Sequence, residues 1–177
     1  MPGTKTTRIK AADAKKPMPL EVRPMMAQTS AKPFDDPEWI FEMKWDGYRA
    51  IATIDAGRVN LRSRNGLSLD SKYPPIVQEL KRLKLKSAIL DGEIAVLDSE
   101  RIPRFELLQR FQRNRKGELR YFVFDLLYLN GEDLVRVPLV RRREILKGSC
   151  RRRVESDSAM PLKGTGKSFS ERHENDG

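Results

Sequence analysis

The chain has 177 residues, enough for one ordinary domain, and its 38% hydrophobic content against 34% charged residues allows a modest core. A formal net charge of +10 points to a polyanionic partner, most simply nucleic acid, while a single cysteine, Cys150, excludes an intrachain disulfide and leaves a zinc site or a Cys–His catalytic pair without ligands. No uninterrupted apolar run reaches membrane-spanning length and the N-terminus carries no apolar signal core, so neither a transmembrane helix nor a secretory signal is expected. Residues 1–20, basic and punctuated by proline with little periodicity, read as a disordered lead or linker. Residues 39–44 (WIFEMK) and 48–54 (YRAIATI) are aromatic and β-branched, which predicts two strands. Asp55–Arg58 is a turn, and a third strand returns over 59–64 with Val59 and Leu61 alternating against Asn60 and Arg62. Asn65–Gly66 closes it. The run 74–84 opens on prolines and places Ile76, Val77, Leu80 and Leu83 on one helical face. Residues 87–98 form a strand broken at Gly92, and 105–113 a short helix with Phe105, Leu108 and Phe111 in phase. The most apolar segment, 119–131, reads as a central strand ending at Asn130–Gly131. A last helix over 139–148 stops at Gly148, and a weaker one spans 167–175. Tight turns between many strands predict an α+β fold with mostly antiparallel sheets and flanking helices.

Two motifs compete for attention. GTGKS (Gly164–Ser168) resembles the end of a phosphate-binding loop. The full pattern places a glycine five residues before Gly166, however, and that position is Pro161; no strand precedes it either. Lys44 is different. It stands in the run Lys44-Trp45-Asp46-Gly47-Tyr48-Arg49, flanked by Met43 and Trp45 and close to the Arg49 cation. A lysine that attacks phosphorus must first be neutral; an ordinary lysine amine titrates near about 10.4, and burial or nearby cations lower that value. Taken singly, Lys44 and Asp46 read equally well as a surface pair on a hairpin.

The set as a whole changes the balance. Lys44–Arg49 is followed by SRNG at 63–66, DGE at 91–93 and FDLLYLNG at 124–131. In this order and at these separations the chain resembles the nucleotidyltransferase (adenylation) domain of the ATP-dependent DNA ligases, an ATP-grasp-like fold. The likeness is greatest to the ligase domain of bacterial ligases used in end joining. It extends over residues 17–177, making 21–177 an expected partial adenylation domain.

The resemblance implies a covalent mechanism. Lys44 would attack the α-phosphate of ATP, release pyrophosphate, and carry AMP to the 5′-phosphate of a DNA nick, which the 3′-hydroxyl then seals. Glu42, two residues earlier, would sit by the adenine amino group, and Phe124 would stack on the adenine face. Arg49 and Arg64 would contact ribose or phosphate. Glu93 would accept from a ribose hydroxyl or help place a divalent metal, Mg or Mn. Nicked or broken duplex DNA would be the partner, with other repair proteins alongside and no membrane. A bacterial cytoplasmic, nucleoid-associated location follows. The arginine triplets at 141–143 and 151–153 would either track DNA phosphates or solvate a helix face and a loop.

The sequence departs from the family pattern at its end. The family's later Glu-Gly and Lys-x-Lys motifs and its OB-fold domain do not follow His173–Gly177. The expectation is a C-terminally incomplete domain and a poor ligase by itself. The competing reading is a catalytically dead basic fragment that holds DNA or a partner.

Overall fold

The computed structural model describes residues 16–25, 32, 34, 36, 39 and 44–149. Two adjacent strands, β1 (Tyr48–Asp55) and β2 (Arg58–Ser63), form a hairpin. Its turn holds Ala56 and Gly57 at φ +46° and +82°, as the Asp-Ala-Gly-Arg run predicts. Then follow α1 (Pro74–Lys81), β3 (Ser87–Leu97), α2 (Phe105–Asn114), β4 (Glu118–Leu129), the short β5 (Glu132–Asp133) and α3 (Leu139–Ser149). The strands make one antiparallel sheet in the order β2-β1-β3-β4-β5. The expected α+β class with a mostly antiparallel sheet and flanking helices is therefore found. β4 is an interior strand, as expected, paired with β3 and β5, and β3 takes the middle place because the β1–β2 hairpin extends the sheet on its far side. Two details differ. The helix α3 runs through Gly148 to Ser149. Trp39 and Lys44, the described ends of the expected 39–44 strand, lie outside regular structure. The expected helix over 167–175 lies outside the described residues.

Strand alternation divides the sheet into two faces. Ala50, Ala52 and Ile54 of β1, Leu61 of β2, and Leu90, Ile94 and Val96 of β3 point to one side. There they meet Ile76, Val77 and Leu80 of α1 and Leu108 and Phe111 of α2, giving the main core. Gly92 lies on this face because no side chain fits. A Cβ there would come within 2.5 Å of Phe122 O and 2.7 Å of the Tyr121 ring. Tyr121 crosses over that glycine, and its buried hydroxyl donates to Ala50 O at 2.9 Å, tying β4 to β1 across β3.

The opposite face carries Arg49, Ile51, Ile89, Asp91, Glu93 and Phe122, and it is covered in part by the chain's own N-terminal segment. Residues 16–20, expected within a disordered lead, are docked there. The Lys16 amide donates to Gly131 O at 2.9 Å and the Tyr128 hydroxyl donates to Lys16 O at 2.7 Å. Met18 and Val22 pack on Ile51, Ile89, Leu127 and Tyr128. Backbone hydrogen bonds and two apolar side chains hold this strap without any secondary structure of its own, which is why composition reads it as a linker. Residues 1–15 of the expected lead lie outside the described residues.

Candidate active site

The loop ahead of β1 is pinned at three points. Trp45 stacks on Phe122 with ring centroids 3.9 Å apart and planes 5° from parallel. Asp46 Oδ2 accepts the Phe105 amide at 3.0 Å, at the N-terminus of α2. Gly47 lies against β3 so closely that a Cβ would stand 2.1 Å from Ile94 O. The Asp-Gly pair of the lysine motif thus fixes the loop to a strand and a helix, and Asp46 caps α2 rather than holding Lys44. Lys44 itself is exposed at the cleft; the burial expected from Met43 and Trp45 is not found.

The cleft has a volume of about 1130 Å³, and Lys44, Arg49, Arg64, Glu93 and Phe124 all line it. Five residues singled out from four separate sequence motifs are therefore brought together. Glu42 lies outside the described residues. The geometry refines several of the expected contacts. Arg49 is clamped by Asp91 in a bidentate pair, Nε to Oδ1 at 2.6 Å and Nη2 to Oδ2 at 2.8 Å. Its guanidinium also lies over the Phe124 ring, 4.4 Å from the centroid. Burial works against the Arg49 charge, yet the Asp91 bonds and charge outweigh it and raise its pKa above the ordinary value. Arg49 is thus a built-in wall of the site, with one face of Phe124 against it, rather than a free cation.

Phe124 reaches the cleft through a β-bulge. Asp91 pairs with Asp125 and Gly92 with Val123, so Phe124 is the extra residue between them. The bulge also turns Asp125 toward the same cleft. There its carboxylate accepts two bonds from the buried Arg142 of α3, Nε and Nη2 each at 2.7 Å. Those bonds raise the Arg142 pKa against the opposing effect of burial. Arg142 therefore cannot track DNA as the 141–143 triplet allowed, and exposed Arg141 pairs with Glu144. The second triplet, 151–153, lies outside the described residues. Glu93, cross-strand neighbour of Arg49 and Phe122, is pushed by burial from 4.5 to about 7; nearby Asp91 and Asp46 add to the rise, and Arg49 and Arg64 oppose it.

Asp91, Asp125, Arg142 and the strap residues Pro19 and Glu21–Met25 also line the cleft and were not among the expected site residues. The signal for the two aspartates was in the sequence, since a carboxylate inside an apolar strand needs a partner. Arg142 hid in a run of like residues. Among the described residues, no group of three or more histidine, cysteine, aspartate or glutamate side chains is placed to hold a metal ion. Among them too, no helix is long and apolar enough to cross a membrane.

A family model described as the ATP dependent DNA ligase domain matches residues 24–163. The chain belongs to that family. It is 38% identical over 147 residues to the multifunctional non-homologous end joining protein LigD of Pseudomonas aeruginosa, covering 82% of this chain and 17% of that protein. Over 136 residues it is 35% identical to the LigD of Mycolicibacterium smegmatis, 76% of this chain and 18% of that protein. The solved ligase domain of M. tuberculosis LigD superposes with a TM-score of 0.72 at 32% identity, over 86% of this chain and 50% of that one. A mycobacterial DNA ligase D complexed with ATP and MES gives 0.70 at the same identity. This ligase-family chain thus spans under a fifth of its LigD relatives and about half of the solved ligase domains, and its sheet and helices are those of an ATP-dependent ligase domain.

Proposed function

We propose that the cleft binds ATP and that Lys44 is the residue it adenylates, as the first step of sealing a break in DNA. The reading is carried by one observation: Lys44, Arg64, Glu93 and Phe124, far apart in the chain, line a single cleft. The Lys44 nitrogen attacks the α-phosphorus, a P–N bond forms, the bond to the pyrophosphate oxygen breaks, and pyrophosphate leaves. The Lys44 ammonium loses two of its three protons to water, one before the attack and one as the P–N bond forms, and keeps the third in the phosphoramidate N–H. AMP then passes to a DNA 5′-phosphate and leaves when the 3′-hydroxyl attacks.

Each neighbouring group has a physical task in this reading. Phe124 takes the adenine on the ring face away from Arg49. Ionised Glu93 accepts from a ribose hydroxyl. Arg64 at the rim meets phosphate oxygens, where negative charge accumulates in the transition state. The carboxylate chemistry also suits a divalent cation, Mg or Mn. Glu93 would supply one oxygen, with phosphate oxygens and water completing the shell, and the ion would neutralise phosphate charge. The partner is nicked or broken duplex DNA, with other repair proteins alongside, in a bacterial cytoplasm near the nucleoid.

The test uses the purified chain with α-labelled ATP. An acid-labile label on the denatured protein is expected, and Lys44→Ala, which removes the nitrogen that carries AMP, abolishes it. Lys44 is exposed, so the variant keeps its folding stability to within about 0.5 kcal/mol. Equilibrium dialysis with ATP and GTP runs in parallel. A chain that neither binds ATP nor carries a Lys44-dependent label overturns the reading; one that prefers GTP points to a capping-type transferase.

A further inference from the structure

Strand β4 is bulged twice against β3. Tyr128 pairs with Ile89 and Leu126 with Leu90, so Leu127 is a second extra residue besides Phe124. Both extra residues line the cleft. Between the two bulges only Asp125 and Leu126 stay in register, opposite Asp91 and Leu90. So short a stretch of ladder gives the bulges little hold on the sheet.

The missing hold comes from α3. Arg142 donates through Nε and Nη2 to the Asp125 carboxylate, whose Oδ1 also accepts the Leu126 amide at 2.8 Å. Its third nitrogen, Nη1, donates to Val137 O at 2.5 Å, in the loop that forms the adjoining wall of the cleft. One guanidinium thus ties the stretch between the bulges to the loop ahead of α3. Leu146, one helical turn on, seats α3 in the main core and gives that guanidinium a fixed base.

The register adds an electrostatic link. Asp125 stands directly opposite Asp91 across the sheet, and like charges so placed repel. Burial pushes the Asp91 carboxyl up, and the Asp125 charge adds to the rise. Each carboxylate is met by its own arginine, Asp125 by Arg142 and Asp91 by Arg49. Arg49 in turn lies over one face of Phe124. Arg142 therefore bears on Phe124 by two routes, along the chain through Asp125 and across the sheet through Asp91 and Arg49.

We propose that Arg142 is a positioning residue for base recognition, holding the doubled bulge so that Phe124 presents its open face to the nucleobase. The proposal rests on the reading of the cleft given above and adds to it a residue that acts through Phe124 rather than on the nucleotide. Anchoring α3 would not by itself call for a guanidinium, because apolar side chains of similar volume replace a buried ion pair with little or no loss of stability.

The experiment compares, by calorimetry, the affinity of the full chain for ATP with that for inorganic tripolyphosphate, which has no base. Arg142→Lys keeps the charge but loses the two-pronged contact. Asp125→Leu with Arg142→Met removes the clamp and both its charges together. Phe124→Leu removes the stacking ring. Each is expected to weaken ATP about ten-fold, within the range a base–aromatic stack supplies, and to leave tripolyphosphate within about two-fold. Arg142→Lys combined with Phe124→Leu is expected to bind ATP no more weakly than Phe124→Leu alone, because the clamp acts through the ring. Urea titrations follow the stability of every variant. If Arg142→Lys does not fold, the Asp125→Leu, Arg142→Met chain takes its place, alone and with Phe124→Leu. Parental ATP affinity in that chain overturns the proposal, and Arg142 then only anchors α3. Equal weakening of ATP and tripolyphosphate, or losses that add in the combined variant, overturn it too, while leaving the cleft reading intact. An unsubstituted chain that binds ATP no better than tripolyphosphate fails the cleft reading itself, and the clamp falls with it.

Discussion

The two faces of the sheet bury their residues by opposite means. On the helix-covered face, Leu90, Ile94 and Val96 of β3 are wholly buried among aliphatic neighbours. On the cleft face the same strand presents Ile89, Asp91 and Glu93, and what is buried there includes the Asp125–Arg142 pair and the Asp91 end of a half-buried pair with Arg49. Removing a methylene from the first face leaves a hole that no second substitution at a polar partner can mend. Removing a charge from the second leaves its partner stranded, a loss that does have a partner through which it can be undone. A stable scaffold and the proposed nucleotide site are thus built on alternate residues of the same strands.

The largest stability effect expected from this contrast is at Asp125–Arg142. Both side chains are buried, at 8% and 7% exposure. Arg142→Ala strands a buried carboxylate and should lower unfolding free energy by about 3–5 kcal/mol in urea titrations. Replacing both, Asp125→Leu with Arg142→Met, should recover most of that. Leu90→Ala on the other face should cost about 2–5 kcal/mol and should not be relieved by any change at Asp125 or Arg142. If the double replacement is as unstable as the single one, the faces do not differ as argued, and packing around α3 outweighs the charge balance.

A second contrast is one of pH. Glu93 titrates at 4.5 in an unfolded chain and at about 7 when folded, chiefly because burial disfavours its charge. Between these values the folded chain holds a proton that the unfolded chain has released. Glu93 therefore reduces stability as pH rises through this window, with no penalty below it and a constant one above. Glu93→Gln should match the unsubstituted chain near pH 4 and exceed it by up to about 3 kcal/mol near pH 8. Because an ionised carboxylate is the stronger acceptor for a ribose hydroxyl, ATP affinity should rise across the same window and lose that dependence in the variant. Parallel stability curves for the two chains would sink this assignment.

Most of the helix-covered face is legible in the sequence, and less of the cleft face. Ile76, Val77 and Leu80, and Leu108 and Phe111, announce their helices by spacing, and Ala56–Gly57 announces its turn. These are local signals, set by period and by backbone preference. Lys44, Arg64, Glu93 and Phe124 are legible as a set, because each lies in a short motif of its own. What joins them is not. Asp91 holds Arg49 across 42 residues, Arg142 reaches Asp125 across 17, and the Lys16–Met25 strap reaches the sheet through backbone atoms and two side chains. The bulge at Phe124 depends on how β3 and β4 pair, so no reading of β4 alone reveals it.

The smallest effect expected separates scaffold from chemistry within one motif. Arg104 begins α2 in an extended conformation, φ −129° and ψ 119°, and offers no side-chain acceptor to the first turn. Asp46 supplies it from 59 residues away, and its negative charge suits the positive end of the helix. Asp46→Ala should therefore cost about 1 kcal/mol, the usual value of a lost cap, and Asp46→Asn, which keeps the acceptor, a few tenths. Adenylation should respond differently if the loop's position matters to Lys44 two residues away. The alanine variant should label more slowly than its stability loss explains, while the asparagine variant should label nearly normally. Equal labelling by the two variants would mean that Trp45 on Phe122 and Gly47 on Ile94 hold the lysine loop without help from the cap.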